Sequence, residues 1–394
     1  MAALSKTEAP ASAIGEMKLK LERGPLLKSL ARLQSIVEKR NTIPILSHIK
    51  LECAGSTLTM SATDMDLAAV EKISATVEKQ GAVTVPAHTF YDIVRKFPEN
   101  ATVSLDVDAN KGQVKIQGGN AKFSLSCLSA SDFPVLSEGD MPFSFALSPK
   151  ECVNLIDKAR FAMSTEETRY YLNGVYLHVA PASEFSGIKG QDSLKAVATD
   201  GHRLARIEVA LPAGAKGMPG VIVPRKAVSE LRKLIEEAAD TVQISLSESK
   251  IRFACGNVTL VSKLIDGTFP DYERVIPTAN TKLLEIDAKT FSQAIDRVST
   301  ISTEKTRGIK ITLGQGSVTL AASSPENGTA TEEVPANYAA EAIEIGFNSR
   351  YLLEVLSQLE GDSAQILLSD GASPALVRDS ADVTALYVVM PMRI

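Results

Sequence analysis

An aspartate, a histidine and an arginine within four residues are the first group in this chain that could do chemistry. Asp200, His202 and Arg203 stand in the octapeptide ATDGHRLA, Ala198 to Ala205. An Asp–His pair can move a proton, and an arginine offers a fixed fork of donors to a carbonyl or a phosphate. The triplet ATD also occurs at 62–64, which adds Asp64. However, an aspartate followed by a turn residue usually accepts from its own backbone two or three residues on. The corresponding place further along reads SSPEN, where the acid is not kept. Asp64 and Asp200 therefore read as turn residues and not as a catalytic or metal-binding set. His48, His88, His178 and His202 show no ligand spacing. Cys53, Cys127, Cys152 and Cys255 lie far apart in apolar-leaning runs with no CxxC. That pattern fits buried thiols in a reducing compartment and gives no zinc site. No GxxxxGK[ST], HExxH, GxSxG or GxGxxG occurs, so the expectation is no catalytic residue, no cofactor and no metal.

These side chains need elements to hold them. Asp200-Gly201 lies between the runs SLKAVAT and RLARIEVAL, which predicts a β-hairpin with the polar residues at its tip. Around it the chain repeats one programme three times. MKLKLE opens a strand, and Leu26, Leu27, Leu30, Leu33 and Val37 then recur at helical spacing. FALSPKECVNLIDKARFAM and LLEIDAKTFSQAIDRVSTI start the second and third passes. VTVPAHTFYDIVRKF, VIVPRKAVSELRKLI and IGFNSRYLLEVLSQL each put a strand directly before a helix, with Val85, Val223 and Phe347 in equivalent places. The period is far longer than the ~20–50 residues of a solenoid repeat, so it signals three similar α+β domains. The expected division is an extension over residues 1–16 and domains over 17–140, 141–280 and 281–394. SASDFPVLSEGDMPF, rich in Ser, Asp and Pro, reads as a linker.

The formal net charge is −5, so cationic character must come from local clustering. Over 225–238, Val228, Leu231, Leu234, Ile235 and Ala238 gather on one side at ~100° per residue. Arg225, Lys226, Arg232 and Lys233 fall roughly opposite and are expected to face outward. Other predicted helices or their ends carry Lys28, Arg32, Lys39, Arg40, Arg95, Lys96, Lys158 and Arg160. A solvated charged face and a shared cationic surface both fit that recurrence. No base-reading motif is present, so any DNA contact would be to the phosphate backbone. No apolar run approaches the ~18–20 residues of a membrane span, and the start lacks the pattern of a secretory signal. A cytoplasmic location is expected.

RNTIPIL, RYYLNG, ATDGHRLA, DGTFPDYERVIP, IGFN and YVVMPMRI follow one another in order from residue 40 to the end. With the threefold repeat, they make the chain resemble the β subunits of bacterial DNA polymerase III, the sliding clamps, from Met17 onward. The resemblance implies three repeated DNA-clamp domains per chain. Two chains would close into a ring, with helices lining the hole and sheets outside. It implies a non-catalytic processivity factor that encircles duplex DNA without sequence preference. Its partners would be the clamp loader, the replicative polymerase α subunit, and other polymerases and repair proteins carrying short linear peptides.

Carried over position by position, the peptide pocket would use Leu172, Thr199, Gly201, His202, Arg203, Leu204, Pro270, Arg274, Val275, Asn348 and Tyr351. The tail would add Val388, Val389, Met390, Pro391, Met392 and Arg393. Adaptable Met side chains with Arg and His donors suit a peptide with large apolar anchors. DNA contacts carry over to Arg40, Tyr170 and Tyr171, while Glu166 stands where some members have an amide. The homodimer contact would join Phe123 and Leu125 to Ile301 of the other chain, with Thr300 polar where a member can be aliphatic. A hydrolase using Asp64 or Asp200, and a monomeric three-domain peptide scaffold, are the competing readings.

Overall fold

The computed structural model describes residues 15–137, 139–182, 187–188, 190–236, 241–302 and 307–393. Ala238, residues 1–14 of the expected extension and Ile394 of the tail lie outside the described residues. Six α-helices occur among the described residues: α1 Arg23–Ile36, α2 Ala87–Arg95, α3 Pro149–Arg160, α4 Arg225–Glu236, α5 Ala288–Ser299 and α6 Ser349–Leu356. The strands Gly81–Pro86, Val221–Pro224 and Ile343–Asn348 run straight into α2, α4 and α6, as the repeat predicts. Within each half of the programme, local chemistry starts the helices. Ser148 and Glu151 form a reciprocal capping box on α3. Asp287 and Asn348 cap α5 and α6 by accepting from Thr290 and Arg350 N–H groups.

Packing divides the chain differently from the repeat. Two compact units form: residues 1–142 with 229–246 and 250–263, and residues 143–228 with 247–249 and 264–394. In the first unit, one antiparallel sheet has the order Thr76–Lys79, Lys18–Glu22, Thr102–Asp108, Gln113–Gly118, Ala121–Ser126. Lys18–Glu22 alternates exposed and buried, and Leu19 and Leu21 point into the core with Leu26, Leu30, Leu33 and Ile36 of α1. Ala121–Ser126 ends that sheet as an edge. A second sheet runs Gly81–Pro86, His48–Ala54, Thr57–Thr63, Leu67–Ser74 and then Val258–Lys263. The last pairing places Leu67 opposite Ser262 and Ala69 opposite Leu260. So the final strand of the second repeat completes the sheet of the first. The segment read as a linker also contributes: Leu128–Ser129 pairs with Val83 and Thr84, and Phe133 is buried. Ser129, its first residue, joins the sheet and the buried Phe133 holds its start, despite the Ser/Asp/Pro composition.

The second unit repeats this join. Its larger sheet runs Val221–Pro224, Gly174–Ala180, Ser193–Thr199, Arg203–Ala210, Ala385–Val389, Ala375–Asp379, Ser363–Leu368, Lys282–Asp287. Here Leu204 lies opposite Val388 and Ala205 opposite Tyr387. Ser193–Thr199 is buried throughout, so it reads as a continuous run and not as an alternation. The smaller sheet is Gly328–Pro335, Ser317–Ser324, Gly308–Gly314, Ile343–Asn348, with Gly328–Pro335 as an edge.

The expected outward basic face needs correction at three cations. Arg225 donates to the carbonyls of Met163 and Ser164, so it locks the start of α4. Arg32 reaches Glu71 at 2.6 Å, a carboxylate that is itself buried. Lys158 on α3 is 5% exposed and bonds Asp382 at 2.6 Å and Glu360 at 2.9 Å. Sequence spacing alone does not tell a cation facing water from one facing a buried acid far along the chain. Lys158→Met should therefore lower stability to urea by roughly 2 kcal/mol, because Asp382 is left without its partner. A change within about 0.5 kcal/mol, as for an ordinary surface site, would contradict the buried assignment.

Candidate functional site

The octapeptide folds as a hairpin tip whose acid is occupied. Asp200 Oδ1 accepts from the His202 N–H at 2.9 Å and the Arg203 N–H at 3.1 Å, and Oδ2 accepts from Arg203 Nε at 3.1 Å. Thr199 Oγ1 donates to the Arg203 carbonyl at 2.6 Å and accepts from the Gly201 N–H at 3.1 Å. Gly201 has φ +89°, and a Cβ there would lie 2.8 Å from Arg169 Nη1. The first repeat builds the same turn: Asp64 Oδ1 accepts from the Asp66 and Leu67 N–H groups at 2.9 and 2.7 Å. There Met65 takes the positive φ, 80°. Both aspartates thus serve as turn caps.

Beside the hairpin is a cavity of about 160 Å³ lined by Leu172, Thr199, Gly201, Arg203, Leu204, Pro270, Asp271, Tyr272, Val275, Val388 and Met390. Its floor belongs to a core cluster in which Leu172, Leu204, Tyr272 and Val388 pack with Val197, Ile222, Phe269, Leu376 and Leu386. At the rim, Val275 is 45% exposed and Met390 36%. Apolar rim side chains over an apolar floor can take an apolar anchor from outside.

Nine of the seventeen residues expected in the pocket line this cavity, and the structure places the others around it. His202 stacks on Tyr351 with centroids 6.1 Å apart. Arg274 is exposed and pairs with Asp271 at 2.7 Å. Asn348 caps α6, and Val389 is fully buried in its strand. Pro391, Met392 and Arg393 line a second, wider cavity of about 570 Å³ with Lys310, Glu344, Gly346 and Gly371. The strand ends at Val389, before Pro391, which has no N–H to give a ladder. Beyond it the backbone stays tied: the Met390 N–H donates to the His202 carbonyl and the Met392 N–H to the Gly346 carbonyl, both at 2.8 Å.

Arg203 differs from its expected role as a donor to a bound backbone. The residue is 7% exposed, and its guanidinium donates to the Phe161 carbonyl at 2.8 Å and pairs with Asp200 and with Glu354 of α6. It also lies over the Tyr351 ring at 4.5 Å. Arg203 therefore ties α6 to the hairpin, and burial lowers its pKa from the usual arginine value.

Asp271 and Tyr272 line the cavity but were not among the expected residues. The signal was available in FPDYERV. Tyr272 and Val275 are three apart on the 3-10 turn Tyr272–Val275, where such positions eclipse.

Tyr170 is 53% exposed, and its ring meets that of half-buried Tyr171 edge-on at 5.7 Å. Glu166 is paired with Arg169 at 2.7 Å. Arg40 is exposed in the first unit. Phe123, 40% exposed, and half-buried Leu125 lie on the edge strand Ala121–Ser126. Half-buried Ile301 follows α5, and its carbonyl accepts from Asn327 Nδ2 at 3.4 Å, next to the edge strand Gly328–Pro335. The Thr300 hydroxyl donates to Asp296 O of its own helix. Among the described residues no group of three or more His, Cys, Asp or Glu could hold a metal, and no helix is long and apolar enough to cross a membrane.

His178 behind the cavity is held neutral by burial, with its pKa below the ordinary value. In the unfolded chain an imidazole takes up a proton near pH 6.5. The unfolded state therefore binds more protons as pH falls below about 6.5, and the stability from this site is lost toward its folded pKa. The thermal midpoint should drop from pH 7.5 to 5.5, and His178→Gln should flatten that dependence. An unchanged slope in the variant would contradict the burial.

Comparison with known sequences follows the repeat. Residues 17–137, 146–271 and 273–393 match the N-terminal, central and C-terminal domains of the DNA polymerase III beta subunit. The beta sliding clamp of Caulobacter vibrioides is 49% identical over 378 residues, covering 96% of this chain and all of the relative. That of Pseudomonas putida is 37% identical over 379 residues with the same coverage. The crystal structure of the Caulobacter crescentus clamp with bound PEG superposes with a TM-score of 0.93 at 49% identity. The Bartonella birtlesii clamp bound to griselimycin does so with 0.92 at 45%; each covers 96% of this chain and all of the other.

Proposed function

The chain belongs to the DNA polymerase III beta subunit family, the beta sliding clamps, and from this membership we propose how two of its sheet edges and its hairpin cavity work. It is a DNA sliding clamp, a processivity factor for the polymerase without catalysis of its own.

The observation that carries the assembly is the rule by which the repeats join. In each compact unit, the strand after the turn of one repeat pairs with the last strand of the next: Leu67–Ser74 with Val258–Lys263, and Arg203–Ala210 with Ala385–Val389. Two strands of these types are left as sheet edges. Ala121–Ser126 is the last strand of the first repeat, and Gly328–Pro335 is the post-turn strand of the third. The same rule pairs them with each other across two chains, and two such joins close a ring. Phe123 and Leu125 lie on the first of these strands, and Ile301 is bonded to Asn327, which precedes the second. DNA passes through the closed ring, touched without base readout by cations such as Arg40 and by Tyr170 and Tyr171. The protein acts in the cytoplasm, with the clamp loader and the polymerase α subunit among its partners.

The cavity takes the apolar anchors of short peptides from these partners and from repair proteins. Its floor of Leu172, Leu204, Tyr272 and Val388 and the exposed Met390 and Val275 at its rim support this reading.

Sedimentation should show a dimer, and Leu125→Asp should give folded monomers; unaltered dimers would remove this edge from the interface. The loaded protein should stay on nicked circular DNA and run off after linearisation, whereas equal retention would indicate ordinary affinity binding. Deleting residues 390–394 removes the rim Met390 and should weaken a peptide ending in Leu-Phe by about 2 kcal/mol or more, the scale of a hot spot. The dimer should persist. Unchanged anisotropy-measured affinity would exclude the tail from the site.

A further inference from the structure

Tyr272 lines the cavity, and its hydroxyl is bonded to a residue that does not. Behind it, His178 Nε2 lies 2.9 Å from Tyr272 Oη, and His178 Nδ1 lies 3.2 Å from the Val179 carbonyl oxygen. A carbonyl only accepts, so Nδ1 carries the hydrogen and Nε2 accepts a hydrogen bond from the Tyr272 hydroxyl. His178 comes from the strand Gly174–Ala180 and does not line the cavity.

The imidazole is itself fixed. Tyr176 stacks on it at 4.8 Å and 22°, and Tyr176 stacks on Phe269 at 4.8 Å and 6°. Phe269 meets the Tyr272 ring at 6.5 Å and 68°, which closes a cycle of four rings. The next residue, Glu273, is held from the same side by Lys195, which faces His178 across the sheet and lies 3.9 Å from the Glu273 carboxylate. Lys195 is 4% exposed and also reaches Glu208 at 4.0 Å. One wall of the cavity, Pro270, Asp271, Tyr272 and Val275, thus comes from a single short segment anchored from behind at 272 and 273.

We propose that His178 is a positioning residue for partner-peptide binding: by accepting a hydrogen bond from the Tyr272 hydroxyl it sets the angle of the Tyr272 ring, and with it the depth of the cavity. The proposal rests on the peptide-pocket reading above. Without the acceptor, a buried hydroxyl has to find another partner, and the ring turns with it. The anchor would then meet a wall of altered shape, and affinity falls though no residue touching the peptide has changed.

The test uses the full-length dimer and a fluorescein-labelled peptide ending in Leu-Phe, with the unlabelled peptide as competitor, read by anisotropy. His178→Leu and Tyr272→Phe should each weaken the probe about fivefold or more. The double variant should lose no more than the worse single variant, because both remove one hydrogen bond. His178→Gln, whose amide oxygen can occupy the place of Nε2, should bind within twofold of wild type; a merely structural loss would not be rescued this way. Should His178→Leu fail to fold, Tyr272→Phe and His178→Gln carry the test. Wild-type binding that survives within twofold in Tyr272→Phe, losses that multiply in the double variant, or a Gln variant as weak as Leu each overturn the proposal. Absence of any wild-type binding overturns the pocket reading instead, and this inference with it.

Discussion

The backbone pairing of Arg203–Ala210 with Ala385–Val389 is the interaction on which the site depends. It sets Leu204 opposite Val388 and so supplies the cavity floor from two repeats that are distant in sequence. It also starts the tail at a fixed place. The Met390 N–H then continues the ladder onto the His202 carbonyl, and Met390 reaches the rim. A register slip of one residue would turn Leu204 and Val388 to the opposite face and erase the floor. Arg203 adds a second tie, since its guanidinium joins the hairpin to Glu354 of α6 and packs over Tyr351. Truncating a buried, paired arginine of this kind leaves Asp200 without its cation and Glu354 paired with Arg350 alone, so the hairpin and the helix lose their shared tie.

The same pairing rule accounts for the architecture of the whole chain. Each repeat offers a post-turn strand at one end and a last strand at the other, and the sheets grow by joining unlike ends. Three repeats joined this way leave one end of each kind as an edge. A long apolar-flanked edge is a hazard in an isolated molecule, and pairing with a second copy removes it. The net charge of −5 is consistent with a protein held on DNA by closure and not by a strongly cationic surface. Several cations that sequence spacing sets on helix surfaces, Arg32, Lys158 and Arg225, instead satisfy acids or carbonyls distant in the chain.

Much of this was legible in the residues. The three strand-into-helix steps at Val85, Val223 and Phe347, the hairpin at Asp200-Gly201, the aspartate caps and the end of the last strand before Pro391 all follow from local chemistry. What was not legible is long-range. Nothing near Val258 says that it pairs with Glu71, so the packing units cut across the repeats. Nothing near Lys158 announces Asp382. In the site, the seventeen expected residues are spread over the small cavity, a second groove and the supports of α6, and only the folded chain sorts them. Tyr272 lines the cavity between Pro270 and Val275, and its hydroxyl partner His178 comes from a strand 94 residues away, a residue that local sequence leaves without any assignment.

The claim that most of this account rests on is that the two leftover edges belong to each other. Hydrogen–deuterium exchange of the backbone amides reads that pairing directly. In the wild-type dimer, outward amides of both Ala121–Ser126 and Gly328–Pro335 should exchange slowly. In Leu125→Asp both should become fast together, while Arg203–Ala210 and Ala385–Val389 stay protected. Fast exchange at either edge in the wild-type protein, or loss of protection at one edge alone, would contradict the account.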